Sequence, residues 1–388
     1  MATAAGLAVA GLFYAQPLLD QIAADLGIER DQVGVIFAAT QLGYGLGLVA
    51  LVPLGDILDR RRLIVAHMAL FAAMLALVAA APGAALFLAG LAAVGALAVV
   101  AQLLVAHAAG LSEASSRGRA VGSVTVGIIA GVVLARIVAG VLAESLGWRA
   151  VFAAAAGLTA GLAGLLWRVL PAQARPSARS SYPRVIASVF ALLRADPMLR
   201  SRALLAYLVF STITGLWTPM ALELRAPPHE LGYATIGLFG LSGLISAVGA
   251  AQAGRWADRG LAQPTTGRAL GLMLCAWVPI SLLPISIWGL VIGSLMVEVG
   301  LQIVHVSNQS LAYREHPDAK SRLAAAYMLF YALGCASGAV VSTFVYARTG
   351  WAGVCLLGAV TTSVALATWA STRRTRPGTT RACARTSA

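Results

Sequence analysis

Charge is scarce in this sequence: of 388 residues, 11% are Asp, Glu, Lys or Arg, while 59% are hydrophobic. A soluble domain carries roughly 25% charged residues, because its surface must hold water. Less than half that share cannot clothe a globule of this length, which excludes a soluble enzyme and a disordered chain alike. Lysine is almost missing, since Lys320 is the single one among 28 basic residues and the rest are arginine. Cysteine is sparse too. Cys275, Cys335, Cys355 and Cys383 form no C-x-x-C pair and no His/Cys cluster has ligand spacing, so neither a disulfide scaffold nor a metal site is expected. No G-x-x-x-x-G-K-[ST] occurs and no polar stretch is long enough to house one, which excludes ATP as the energy source. His229-Glu230 and His316-Pro317-Asp318 match no hydrolase or metal pattern. No cofactor is expected.

Apolar length is what the chain has instead. A membrane span takes about 20 apolar residues, leaving room here for about 12. Runs bounded by Pro, Gly or charge fall near 4–19, 32–54, 63–81, 84–111, 119–143 and 148–170. A second set falls near 199–222, 231–254, 267–284, 286–313, 322–346 and 350–371. The expected fold is therefore all-α and integral to a membrane, with twelve transmembrane helices in two six-helix halves, 1–170 and 199–371. Between the halves lies a polar, proline-bearing linker, 171–198, with a short surface helix at 184–194, and after them a basic tail, 372–388. The N-terminus is apolar from the outset, without a basic leader, so it reads as a first span and not a signal peptide. That span is short, which points to a start codon upstream of Met1.

Arginine placement sets the orientation. With both termini inside, inner segments hold 23 Arg and Lys residues and outer segments only Arg30, Arg149, Arg225 and Arg348. The net charge of +13 is thus explained by a cytoplasmic bias rather than by nucleic acid. The expected location is a bacterial inner membrane, multi-pass, with cytoplasmic ends. The halves also repeat. Gly55-Asp56-Ile57-Leu58-Asp59-Arg60 follows span 2 and Gly254-Arg255-Trp256-Ala257-Asp258-Arg259 follows span 8, both G-x-x-x-D-R; Gly147-Trp148 opens span 6 and Gly350-Trp351 opens span 12. Parallel six-span repeats place a substrate site between the halves near the midplane and predict rocking of one half against the other. Because each half finds its partner within the chain, a monomer is expected.

These residues resemble the major facilitator superfamily. Its signature loop is similar to Gly55–Arg60 continued by Arg61-Arg62, although the second glycine is missing here. Phe13-Tyr14-Ala15-Gln16-Pro17-Leu18-Leu19, Leu134–Gly140, Gly147–Phe152 and Val306-Ser307-Asn308-Gln309 resemble a bacterial efflux-type branch. The resemblance covers essentially the whole chain and implies transport of a small molecule. The branch's glycine-rich span 5 is present without its proline, and the superfamily's frequent arginine in span 4 is absent.

Several residues stand out as candidates. Asp59 and Asp258 would each cap a helix of the opposite half, span 11 near Ser321 and Arg322 or span 5 near Arg117 and Arg119. With Gly55, Arg60, Arg61, Gly254 and Arg259 they would form cytoplasmic gates; the alternative is a hydrophilic turn. Glu298 lies in mid-span 10, where an ionised side chain costs at least ~2.5–3.5 kcal/mol, so it is a proton carrier or a protonated structural link. Gln302, His305 and Gln309 follow it on one helical face. Arg136, in span 5, is its counter-charge, a partner for an anionic substrate, or a snorkelling side chain. His305 is a weaker proton-coupling candidate and His107 a histidine of the interior. Tyr14, Gln16, Gln41, Tyr44, Gln102 and Asn308 supply neutral polar groups for a substrate cavity. Trp217 and Tyr327 offer stacking or packing surfaces. Gly127-x-x-x-Gly131 and Gly334-x-x-x-Gly338 allow close helix approach.

The expected function is secondary transport by alternating access, most simply efflux of small amphipathic molecules by proton antiport. Alternatives are uptake or facilitated diffusion of a metabolite, anionic if Arg136 reads it, a polytopic enzyme using Glu298 and His305, or a non-transporting sensor.

Overall fold

The structure, a computed structural model, describes residues 1–113, 116–171, 182–315 and 320–374. A bilayer offers no water to unpaired backbone groups, so spanning segments satisfy them internally as helices. Among the described residues every regular element is helical. The first part of the chain forms α1 (Ala2–Ala10), α2 (Leu19–Leu26), α3 (Gly34–Ala50), α4 (Arg60–Ala79), α5 (Ala84–Leu97), α6 (Val100–Leu111), α7 (Arg117–Leu146) and α8 (Trp148–Val169). After α9 (Tyr182–Ala195) come α10 (Pro197–Arg225), α11 (Tyr233–Leu238), α12 (Ser242–Asp258), α13 (Ala262–Ser281), α14 (Ile287–Glu315) and α15 (Lys320–Arg374). Nine of the described helical segments are long and apolar enough to cross a membrane. The last of them is two helices joined at Gly350. With the broken first segment and α13, the arrangement is consistent with twelve spans.

Gly147 and Gly350 explain why the Gly-Trp pairs recur. Gly147 has φ 80° and Gly350 φ 64°, a left-handed backbone that glycine adopts without a Cβ penalty, so the chain reverses there and starts the next helix. Each following tryptophan anchors the turn: Trp148 Nε1 donates to Asp25 at 2.9 Å and Trp351 Nε1 to the Ile280 carbonyl at 3.1 Å. The glycine pairs also act alike. A Cβ at Gly127 or Gly131 would strike the α1 backbone, and one at Gly334 or Gly338 the α10 backbone.

Several segments differ from the expected runs. The first does not end at residue 19 but breaks over 11–18 and resumes as α2 to Leu26. Pro17 lacks an N–H and disfavours helix at the residue before it, so hydrogen bonds there tighten, with Leu12 N to Val9 O at 3.0 Å and Phe13 N to Ala10 O at 2.9 Å. The eighth span is likewise interrupted, by a tight turn at Phe239–Leu241. In the ninth, Pro279 stays inside α13, which runs 262–281 and starts five residues before the expected 267. The surface helix between the two sets extends over 182–195.

Two apolar cores form. One gathers buried side chains from Ala4 to Leu170 plus Ala332, the other from Leu205 to Ala365 plus Phe37. The two exceptions mark the seam where α3 lies on α15. Along it Gly34 meets Ala339 and Thr343, Gly45 meets Ala332, and Gly140 meets Tyr233. At the end of the bundle holding α2, polar side chains cross the seam. Asp20 Oδ2 accepts from Arg225 Nε at 3.2 Å and from the Tyr233 hydroxyl at 3.1 Å, Asp31 pairs with Arg348 at 3.9 Å, and Glu144 accepts from Ala234 N at 3.3 Å. At the opposite end, beside α9, a Cβ added to Gly118, Gly122 or Gly254 would meet open space. Polar pairs thus bridge the seam at the α2 end, while at the α9 end the Tyr182 hydroxyl donates to the Ala50 carbonyl at 2.6 Å.

Candidate functional site

The first break borders a cavity. It lies between the cores, has a volume of about 280 Å³ and is lined from α1, α3, α6, α7, α10, α12, α14 and α15. Most of its wall is apolar or aromatic, including Phe13, Phe37, Phe210, Trp217, Met328 and Tyr331. Tyr331 meets both Phe210 and Tyr44 edge-on, with centroids 4.2 Å and 6.3 Å away.

Two charged side chains enter this wall. Arg136 from α7 and Glu298 from α14 are each only 6% exposed. Arg136 Nε donates to Gln16 Oε1 at 2.8 Å, and Gln16 can receive it because the helix has broken at Pro17. The guanidinium lies over the Trp217 ring at 4.1 Å and near the Phe13 ring at 5.1 Å. Its aliphatic stem rests on Gly240, whose missing side chain leaves room for Arg136 Cδ. Trp217 Nε1 in turn donates to Glu298 Oε1 at 3.0 Å. The two charges are therefore linked through one indole, with no direct ion pair between them. A desolvated cation–π contact is worth about 2 kcal/mol and a hydrogen bond to a charged group about 1.5–3 kcal/mol, so the relay offsets a substantial share of the cost of burying both. Arg136 does not snorkel.

The remaining sequence candidates divide by place. Gln16, Tyr44, Gln102, Gln302 and His305 line the cavity. Tyr14, Gln41, Asn308 and Gln309 do not line it. Tyr14 packs edge-on against Phe152, and Gln41 is fully buried with neither amide atom partnered. Gln309 Nε2 donates to His305 Nε2 at 3.2 Å, so His305 Nδ1 donates to the Tyr327 hydroxyl at 3.0 Å. Asn308 turns to a second buried cation, accepting from Arg202 Nη1 at 3.3 Å while Gln263 Oε1 accepts from Arg202 Nη2 at 2.6 Å. Arg202 reads in the sequence as one more loop arginine, yet it is 1% exposed. Its partners stand 61 and 106 residues away, so no spacing announces them. Tyr331, Phe210 and Phe37 also went unmarked, since an aromatic in an apolar run carries no signal of which face it takes.

The gate residues stay within their own ends. Asp59 Oδ1 accepts from Arg62 N at 2.9 Å, capping α4, the helix it begins. Arg60 Nε donates to the Gly55 carbonyl at 3.0 Å, and Arg61 bonds the Trp167 carbonyl. Asp258 and Arg259 are exposed at the end of α12, beyond Gly254. The side chains of Arg117, Ser321 and Arg322 lie outside the described residues. Among the described residues neither aspartate bonds across the seam. Among the described residues no cluster of His, Cys, Asp or Glu could hold a metal.

The family profile of the Major Facilitator Superfamily matches residues 1–339 and again 203–385. The chain belongs to the Major Facilitator Superfamily. It is similar to the uncharacterized transporter YgaY of Escherichia coli (strain K12), at 45% identity over 95% of this chain and 93% of the relative. It is also 32% identical to the probable transporter SCO4007 of Streptomyces coelicolor, over 92% of this chain and 82% of that one. In fold it resembles a bacterial homolog of the human lysosomal transporter Spinster in an inward-facing, occupied conformation. That match has TM-score 0.79 at 13% identity and covers 97% and 96% of the two chains. The human organic anion transporter MFSD10 matches with TM-score 0.68 at 20% identity, over 95% and 98%. The protein is thus a multi-pass membrane transporter and not an enzyme.

Proposed function

We propose that this transporter moves small amphipathic molecules out of the cell through the central cavity, by proton-coupled alternating access, with Glu298 as the proton site. The observation that carries the reading is a buried carboxylate in the wall of a cavity between two cores. It is held by one indole hydrogen bond, so it gains or loses a proton without dismantling a salt bridge. Residues 1–170 and 199–371 act as the two rocking bodies, with 171–198 as their linker and 372–388 as a tail. The membrane is the inner membrane of a bacterium, both termini are cytoplasmic and the unit is a monomer. In that topology the bridged end at α2 faces outward and the end beside α9 faces the cytoplasm. Asp59 and Asp258 become cross-seam caps when the inner end shuts.

Proton flux in inverted, energised membrane vesicles tests this. A pH-sensitive dye is followed while lipophilic cations, sugars and organic acids are added in turn. A response to one class, lost in Glu298→Gln, supports the reading; a rise in lumenal pH marks exchange and a fall marks cotransport. Substrate-driven proton movement that survives Glu298→Gln overturns it.

A further inference from the structure

The guanidinium of Arg136 has three surfaces, and only two are used. Its Nε edge is taken by Gln16 and its face by Trp217 and Phe13. The outer fork, Nη1 and Nη2, has no hydrogen-bond partner among the described residues, although the side chain is 94% buried and lines the cavity. Glu298 does not fill the fork: its Oε1 accepts from Trp217, and neither of its oxygens bonds Arg136. The fork opens on the cavity, and a planar pair of charged N–H groups there matches one group best, a carboxylate taken by two parallel bonds.

We propose that Arg136 is a carboxylate-binding fork, and that the substrates of this cavity are small monocarboxylic acids with an apolar, ring-bearing body. This rests on the reading of the cavity as the transport site. A neutral ligand would leave the fork bare, and an ammonium would share about 280 Å³ with a guanidinium. The remaining wall, built from Phe13, Phe37, Phe210, Ile213, Leu301 and Tyr331, suits a flat apolar body. The volume sits at the lower limit of ligand pockets, roughly 300 Å³, which selects small acids.

The proposal changes the sense of coupling. A bound carboxylate and an ionised Glu298 would put two negative charges around one arginine, so the acid binds with a proton on Glu298 and the two travel together; an inward proton gradient then drives the acid into the cell, which replaces the outward direction proposed above. The other titratable groups facing this space are His305 from α14, Tyr44 from α3, and Tyr331 and Cys335 from α15. None brings a second resident negative charge near neutral pH.

Calorimetric titration of the purified full chain with benzoate, benzamide and benzylamine tests the fork without requiring transport. Benzoate should bind at least about tenfold more tightly than either analogue, the loss expected when a buried charged donor goes unpaired. Arg136→Gln should lose about tenfold for benzoate and Arg136→Lys less. Equal binding of benzamide, unchanged benzoate binding by an Arg136→Gln protein with wild-type melting, or no benzoate binding by the folded wild type overturns the proposal. If Arg136→Gln does not fold, Arg136→Lys serves: unaltered selectivity for benzoate over benzamide supports a charge-only contact and refutes the fork. Failure of Glu298 as proton site is a separate outcome, read as substrate-driven proton flux unaffected in Glu298→Gln vesicles while the wild type still prefers benzoate to benzamide.

Discussion

Replacing Asp20 by Ala should loosen the bridged end of the seam by a calculable amount. Asp20 Oδ2 receives both Arg225 Nε at 3.2 Å and the Tyr233 hydroxyl at 3.1 Å, so one carboxylate ties the first core to α10 and α11 of the second. The pair is partly wet, with side-chain exposures of 33% and 30%. Solvent screening holds such an ion pair to about 0.2–1 kcal/mol, and the tyrosine bond adds roughly another 1 kcal/mol. Both contacts exist only while this end is shut, so their whole loss, about 1–2 kcal/mol, goes into the conformational equilibrium. That is a five- to thirtyfold rise in the population open at this end. The assay is labelling of a Phe37→Cys thiol, in an otherwise cysteine-free protein, by a membrane-impermeant maleimide in right-side-out vesicles. Phe37 lines the cavity and is 1% exposed, so the reagent reaches it from outside only when the end opens. Labelling should accelerate by that factor in Asp20→Ala, and by less in Asp20→Asn, which keeps an acceptor for Tyr233. A rate within twofold of the parent in Asp20→Ala, with unchanged melting, would refute the assignment of this cluster as a latch.

Four further outcomes follow from the packing. Gly338→Val should lower the melting temperature in detergent sharply, since its side chain meets the Ser211 backbone and overpacking alone costs about 1–3 kcal/mol. Trp217→Phe removes the Nε1 donor and leaves Glu298 Oε1 without it, a loss of about 1–3 kcal/mol in thermal stability that should shrink in a Glu298→Gln background. Gly350→Ala places a Cβ at φ 64° and should destabilise by about 1–2 kcal/mol, measured by the same melt. Hydrogen bonds from Arg149 and Trp148 hold the Asp25 carboxyl below its ordinary value, so its stabilisation is present above the usual carboxylate range and is lost as pH falls through the lowered value. The melting gap between wild type and Asp25→Asn should therefore be widest near neutral pH and close in strong acid.

The spans were legible because a bilayer demands long apolar runs, and Arg136 and Glu298 because charge within such runs is conspicuous. The Gly-Trp repeats were legible as landmarks, and the structure adds their cause in the positive φ of Gly147 and Gly350. What joins Arg136 to Glu298 was not legible. Trp217 lies 81 residues from Glu298, and the contact depends on how α7, α10 and α14 converge, which no single-helix periodicity encodes. Pro17 was in plain view, but that a break there would deliver Gln16 to Arg136 requires α7 to lie alongside. Arg202 misled for the opposite reason. Near the end of an apolar run it reads as an interface charge, until Gln263 and Asn308 enclose it.

The stack of Arg136 on Trp217 bears on leakage. One residue belongs to each core, so any motion that parts the cores around the cavity must also part the ring from the cation. With an acid on the fork the guanidinium keeps a counter-ion through that motion; with an empty fork it is left bare in a dry wall. The unloaded carrier should therefore return slowly. Labelled acid on one side swapping for unlabelled acid on the other should outpace net movement into acid-free medium, and an idle transporter should short-circuit little of the gradient across its membrane.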